Sequence, residues 1–196
     1  MTKSIPAIIL NSGYSTRLGE PKSLIQVNGK SLLTHAVERL LFAGCSPIVI
    51  VVNKELQFDS VMNSNGATVV VNNNPENGRT GSLKVALNSI MTELGRIPNS
   101  VIMSPIDRPG WKSSHITQLF QAKKSSCLSQ SGQKGHPVKL VKSDLLKIIN
   151  APDDIPLRDL VEFDNTEVAD ALLSLNIDTP EDLVELSKHS EFFDEL

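Results

Sequence analysis

The chain has no apolar run near the roughly 18 residues that a membrane span requires, only two cysteines, and 4% aromatic residues. Each shortage removes a class of answer. No membrane partner is expected, and the apolar stretch at residues 5–10 is too short for the core of a signal peptide, so the cytoplasm is the expected location. Cys45 and Cys127 lie far apart with no C-x-x-C spacing. Buried free thiols are therefore expected, rather than a disulfide framework or a zinc site. Strong charge is lacking too: the net charge is −3 and the basic residues are scattered, which argues against nucleic acid as a partner. What is abundant is Val, Ile, Leu and Ala, a composition suited to a parallel sheet buried between helices.

A chain of 196 residues suits one domain, residues 1–196, of α/β class. Residues 5–10 read as a strand buried on both faces, followed at once by a polar loop. Leu32, Leu33, Ala36, Val37, Leu40 and Leu41 recur at helical spacing, with Ser31 as cap and Gly44 as stop. Residues 47–53 and 66–72 read as further strands, separated by a weaker helix. Leu83, Leu87, Ile90, Met91 and Leu94 mark a helix stopped by Gly95. A strand is expected at 100–107, a helix at 111–124, strands at 125–130 and 137–142 around a turn, and a short helix within 152–161. The pattern predicts a last strand at 171–178 and a last helix capped by Thr179, with Pro180 at its first position. Alternating strands and helices place a ligand site at the carboxyl ends of the strands.

Four polar features fall on that edge: the loop LNSGYSTRLGEPK at residues 10–22, the loop NNPENGRTG, Asp107, and residues 176–178. NGKS at 28–31 mimics the end of a P-loop, but Leu24 stands where its first glycine is needed, and no G-x-G-x-x-G is present. In the first loop glycine lets backbone approach a ligand. Arg17 can grip phosphate oxygens in pairs and Lys22 is a compact charge, which together suit a triphosphate. A solvated turn with incidental basic residues is the alternative. Asp107 has the carboxylate that Mg²⁺ requires, with Asp178 or Asn176 as further oxygen donors; as a turn residue it would instead bond its own backbone. Asp178 equally suits the N-terminal end of the last helix. His136, before Pro137, has no Ser or Cys nucleophile to partner it.

Taken together, these stretches resemble the MobA/MocA-like nucleotidyltransferases. The first loop is similar to their signature L-A-[AG]-G-x-S-x-R-[ML]-G-x-x-K, matching at Leu10, Gly13, Ser15, Arg17, Leu18, Gly19 and Lys22. NPENGRTGSLKVAL resembles a second family segment at Asn74, Gly78, Ser82 and Leu83. SPIDRP resembles the metal-binding D-x-P element at Asp107 and Pro109, KGHPV the G-H-P element, and NIDTPEDL the closing motif. Departures occur at Asn11 and Ser12, where the family has Ala and Ala or Gly; at Arg79, Thr80 and Gly81, where it has small residues; and at Asn176, where it has Asp.

The resemblance implies a three-layer, Rossmann-like fold with a mostly parallel sheet. It implies Mg²⁺-dependent attack of an acceptor phosphate on the α-phosphorus of an NTP, with release of pyrophosphate. Arg17, Lys22 and Asp107 are then the catalytic set. Leu10, Asn11, Ser12, Gly13, Ser15, Gly78 and Ser82 border the nucleotide, CTP being favoured over GTP because Ser12 is closer in size to the Ala of the cytidylyltransferases. Asp107 carries the metal with Asp178 or Asn176, and Gly135 and His136 face the acceptor. Molybdopterin is the acceptor most in keeping with the resemblance, with a molybdoenzyme as the matching protein partner. A sugar or polyol phosphate as acceptor, or a silent nucleotide-binding module, are the competing readings.

Overall fold

The computed structural model describes residues 4–196. The strands and helices are β1 (Ile5–Asn11), β2 (Gln26–Val27), β3 (Lys30–Ser31), α1 (Leu32–Phe42), β4 (Cys45–Val52), α2 (Gln57–Met62), β5 (Thr68–Val71), α3 (Gly78–Leu94), β6 (Ser100–Pro105), α4 (Ser113–Phe120), β7 (Ser126–Gln130), β8 (Gln133–Val141), α5 (Lys142–Asn150), α6 (Leu157–Leu160), β9 (Asp164–Glu167) and α7 (Pro180–Lys188). Seven strands form one sheet in the order β5-β4-β1-β6-β8-β7-β9. Only β8 runs against its neighbours, pairing antiparallel with β6 and β7. The other pairings in this sheet are parallel.

Alternation along β1 builds the three layers. Ala7 and Ile9 enter one apolar cluster with Leu33, Val37 and Leu40 of α1 and Ile116 and Leu119 of α4. Ile8 and Leu10 enter the opposite cluster with Leu83, Leu87 and Ile90 of α3 and Leu145 and Ile148 of α5. A strand with both faces covered has no room for polar side chains, which is why residues 5–10 are continuously apolar. Burying each such side chain contributes roughly 1.5–3 kcal/mol. Cys45 and Cys127 are buried free thiols as expected, and burial pushes the Cys45 thiol up to about 12. NGKS is a hairpin turn: Asn28 and Gly29, with φ of 51° and 77°, join β2 to β3, as Asn-Gly pairs favour.

Three segments differ from the sequence pattern. The helix expected over 111–124 is the shorter α4, and α5 is a helix that was not anticipated. The third difference bears on the site. Residues 171–178 form no strand; the strand is instead β9, four polar residues on the sheet edge beside β7. The alternation that suggested a strand is real, since Ala171, Leu173, Leu175 and Ile177 are buried. They are buried beneath the loop after β6 instead of in a ladder. Leu172 donates to the Gly110 carbonyl at 2.8 Å and Ile177 to the Asp107 carbonyl at 2.9 Å.

Gly110 permits this crossing, because a Cβ there would lie 2.1 Å from the Leu172 carbonyl oxygen. Gly110→Ala is therefore expected to cost at least about 2 kcal/mol in urea unfolding, as a backbone shift forced by overpacking does. Unchanged stability would mean that the two segments do not run against each other.

Candidate functional site

Beyond the carboxyl ends of β1, β5 and β6 lies a cavity of about 210 Å³. Its wall includes Leu10, Asn11, Ser12, Gly13, Ser15 and Lys22 from the first loop, Gly78 and Ser82 from α3, and Asp107. Of the expected catalytic and nucleotide-binding residues, Arg17 alone lies off this wall. Pro75, Arg79, Pro105 and Ile106 also line it; only Arg79 among these had a sequence signal, a long cation in a run where small residues were expected.

The loop is fixed by hydrogen bonds inside the protein. Ser12 Oγ lies 2.8 Å from Ser82 Oγ, which also receives a bond from Asn72 Nδ2 at 3.1 Å and donates to the Gly78 carbonyl at 3.0 Å. Asn11 Nδ2 reaches Ser60 Oγ at 3.4 Å. Asn53 Nδ2 donates to the Ser12 carbonyl at 3.3 Å, while its Oδ1 caps Leu56 N at 3.1 Å. The departures at Asn11 and Ser12 are thus buried polar groups with partners, as burial demands. The asparagines that follow β4 and β5 anchor the loop, and the repeated V-V-N in the sequence is the trace of that arrangement.

Two features of the cleft suit phosphate. The N-terminus of α3, a helix of 17 residues, opens into it at Gly78 with no side-chain cap and no acid in the first turn, leaving amide donors and the positive end of the helix dipole for an anion. Lys22 Nζ lies 2.7 Å from Asp178 Oδ1, and Arg17 pairs with the other oxygen of the same carboxylate. The Lys22 bond, then the Arg17 charge, hold the Asp178 carboxyl below its ordinary value. Asp178 thereby occupies both cations.

Asp107 is placed differently. Its Oδ1 is buried without a hydrogen-bond partner, and its Oδ2 is 3.8 Å from Arg79 Nη2. Asp107 lines the cleft, and a carboxylate with an oxygen that no protein donor satisfies fits a hard divalent cation, which takes one or two carboxylates and completes its shell with phosphate oxygens and water. Asn176 sits half-buried two residues before Asp178 on the segment bonded to the Asp107 loop. Among the described residues no group of three or more His, Cys, Asp or Glu side chains is arranged to hold a metal.

His136 and Gly135 lie in a neighbouring cavity of about 690 Å³ that meets the first at Gly78 and Arg79. Burial, then the charges of Arg79 and Arg108, push the His136 imidazole down to about 4, and its Nδ1 is buried without a partner.

Residues 7–180 match the family model of the MobA-like NTP transferase domain. Nicotine blue oxidoreductase of Paenarthrobacter nicotinovorans is 24% identical over 146 residues, 68% of this chain and 69% of the relative. Rv0371c of Mycobacterium tuberculosis H37Rv superposes with a TM-score of 0.79 at 21% identity, covering 96% of this chain and all of that one; it has also been solved with manganese. The inositol-1-phosphate CTP transferase of T. maritima superposes with a TM-score of 0.74 at 19% identity, covering 98% and 96% of the two chains.

The buried imidazole has a consequence for stability. Folding favours neutral His136, so its contribution is fully present above its ordinary value of 6.5 and is lost as pH falls through about 4. In urea unfolding, His136→Gln should remove roughly 2 kcal/mol of the stability lost between about pH 7 and pH 4.5. An identical acid slope in the variant would mean that His136 is protonated as easily folded as unfolded.

Proposed function

The chain belongs to the MobA-like NTP transferase domain family, and from that premise we propose that it transfers a nucleoside monophosphate, CMP by preference, to a phosphate-bearing acceptor of the molybdopterin kind. An acceptor phosphate oxygen attacks the α-phosphorus of the NTP and forms a new P–O bond. The bond from the α-phosphorus to the bridging oxygen breaks, and pyrophosphate leaves with that electron pair. The nucleophile is already ionised, so no general base is needed, and catalysis is positioning and charge neutralisation.

The observation that carries this reading is the cleft itself, where Lys22, the uncapped start of α3 and Asp107, a carboxylate with one oxygen lacking any protein partner, line one cavity. Lys22 and Arg17 hold the triphosphate, exchanging the Asp178 carboxylate for phosphate oxygens. Ser12, Gly13 and Ser82 border the nucleoside, and the preference for CTP rests on the likeness in size of Ser12 to the Ala of the cytidylyltransferases. Asp107 holds Mg²⁺, aided by Asp178 once the cations release it, or by Asn176; the ion neutralises phosphate charge when bound. Gly135 and His136 face the acceptor. A sugar or polyol phosphate is the second acceptor reading, favoured by the likeness to an inositol-1-phosphate CTP transferase.

Pyrophosphate release from each of the four NTPs with Mg²⁺, with and without molybdopterin or sugar phosphates, tests this. Release with CTP and molybdopterin is expected. No release under any pairing, with nucleotide still bound, would overturn the transferase reading in favour of a silent nucleotide-binding module. Asp107→Ala and Lys22→Met should each lower the rate at least about 100-fold, while unfolding in urea as the parent chain does. Full activity in either variant would remove that residue from the mechanism.

A further inference from the structure

The larger cavity differs from the nucleotide cleft in chemistry as well as size. At about 690 Å³ it is in the range that encloses a drug-sized molecule, far more than a phosphate group needs. Its charges are one-sided: Arg79, Arg108, Lys134 and Arg158 line it against the single carboxylate of Asp154, in a protein whose net charge is −3. Between the cations the surface is apolar, supplied by Ile155, Pro156, Leu157 and Phe163. The side-chain amide and hydroxyl groups that a polyol would need are confined to Asn77 and Thr80.

The cations are not spread evenly. Arg79 belongs to the walls of both cavities and faces Asp107. Arg79, Arg108 and His136, whose Nδ1 has no partner, all line the larger cavity, and of the two arginines Arg79 alone also lines the nucleotide cleft. Guanidinium groups present paired donors that match a phosphate. Lys134, by contrast, already donates to the Phe163 carbonyl at 3.2 Å, and Arg158 is largely exposed beside Asp159.

Building on the transferase reading, we infer that this cavity takes a phosphate ester of an apolar, ring-bearing molecule, with Arg79 gripping its phosphate at the junction, Arg108 adding charge from the larger cavity, and Ile155, Leu157 and Phe163 covering its body. Arg79 then sets the acceptor phosphate beside the metal carboxylate Asp107 and the α-phosphorus, a positioning role that its place in both walls supports. A sugar phosphate satisfies the cations equally but leaves its hydroxyl groups against apolar surface, where each lost hydrogen bond to water counts against binding.

The test is equilibrium binding of two probes of equal phosphate charge, 1-naphthyl phosphate and glucose 1-phosphate, to the full chain without nucleotide. 1-Naphthyl phosphate is expected to bind at least about tenfold more tightly, the gain that a modest buried apolar area provides. Arg79→Met should weaken both probes. Leu157→Asn should weaken only 1-naphthyl phosphate, so that a general folding defect, which weakens both, is told apart. Equal or tighter binding of glucose 1-phosphate, or no binding of either probe, overturns the inference. Selective binding of 1-naphthyl phosphate in a chain that releases pyrophosphate from no NTP would overturn the transferase reading and uphold this ligand class.

Discussion

The site depends on β1 being buried on both faces and paired on both edges. Such a strand can present polar groups only where it ends, and its two parallel neighbours end at the same edge. The contact that fixes this edge is the bond from the Ile106 amide to the Leu10 carbonyl at 3.0 Å, just past the paired residues Leu10 and Pro105. It joins the first loop to the loop that carries Asp107. Everything proposed for the cleft follows from that junction: Lys22 and Asp107 are far apart in the chain but share one cavity wall.

A second constraint holds the Asp107 loop from behind. Arg39 on α1 is 1% exposed, and its guanidinium donates to the carbonyls of Pro109 at 3.1 Å, Trp111 at 2.7 Å, Phe192 at 2.9 Å and Glu195 at 3.3 Å. The rings of Phe192 and Phe193 lie 5.1 and 4.8 Å from its central carbon. A buried cation that meets backbone carbonyls and aromatic faces instead of a carboxylate remains costly to bury, and burial lowers its value to about 10. Its four bonds tie α1, the loop after Asp107 and the C-terminal turn together. The site is therefore braced from both sides, by the sheet in front and by this cation behind.

Much of the fold is legible in the sequence because burial on two faces leaves continuous apolar runs, as at β1, β4 and β6. The misreadings share a cause. Residues 171–178 alternate as a strand does, because alternate side chains are buried beneath a loop; sequence periodicity reports burial and not the hydrogen-bond partner. β9, whose residues are Asp, Asn, Thr and Glu, is a strand only because β7 offers it an edge. In the site, Gly13, Ser15, Lys22, Ser82 and Asp107 were legible as motif positions, and all reach the cleft. Arg39 was not, since a lone arginine in a helix reads as solvated. Nor was the pairing of Arg17 and Lys22 with Asp178, which requires knowing that the closing segment crosses the Asp107 loop.

The central claim is that one cleft receives both a nucleoside triphosphate and a divalent ion, the phosphates on Lys22 and Arg17 and the ion on Asp107. A crystal structure with a non-hydrolysable CTP analogue and Mn²⁺, using the anomalous signal of manganese, tests it most directly. An anomalous peak is expected on the Asp107 carboxylate beside the triphosphate, with Lys22 and Arg17 turned from Asp178 to phosphate oxygens. Nucleotide bound elsewhere, or a manganese peak away from Asp107, would contradict it.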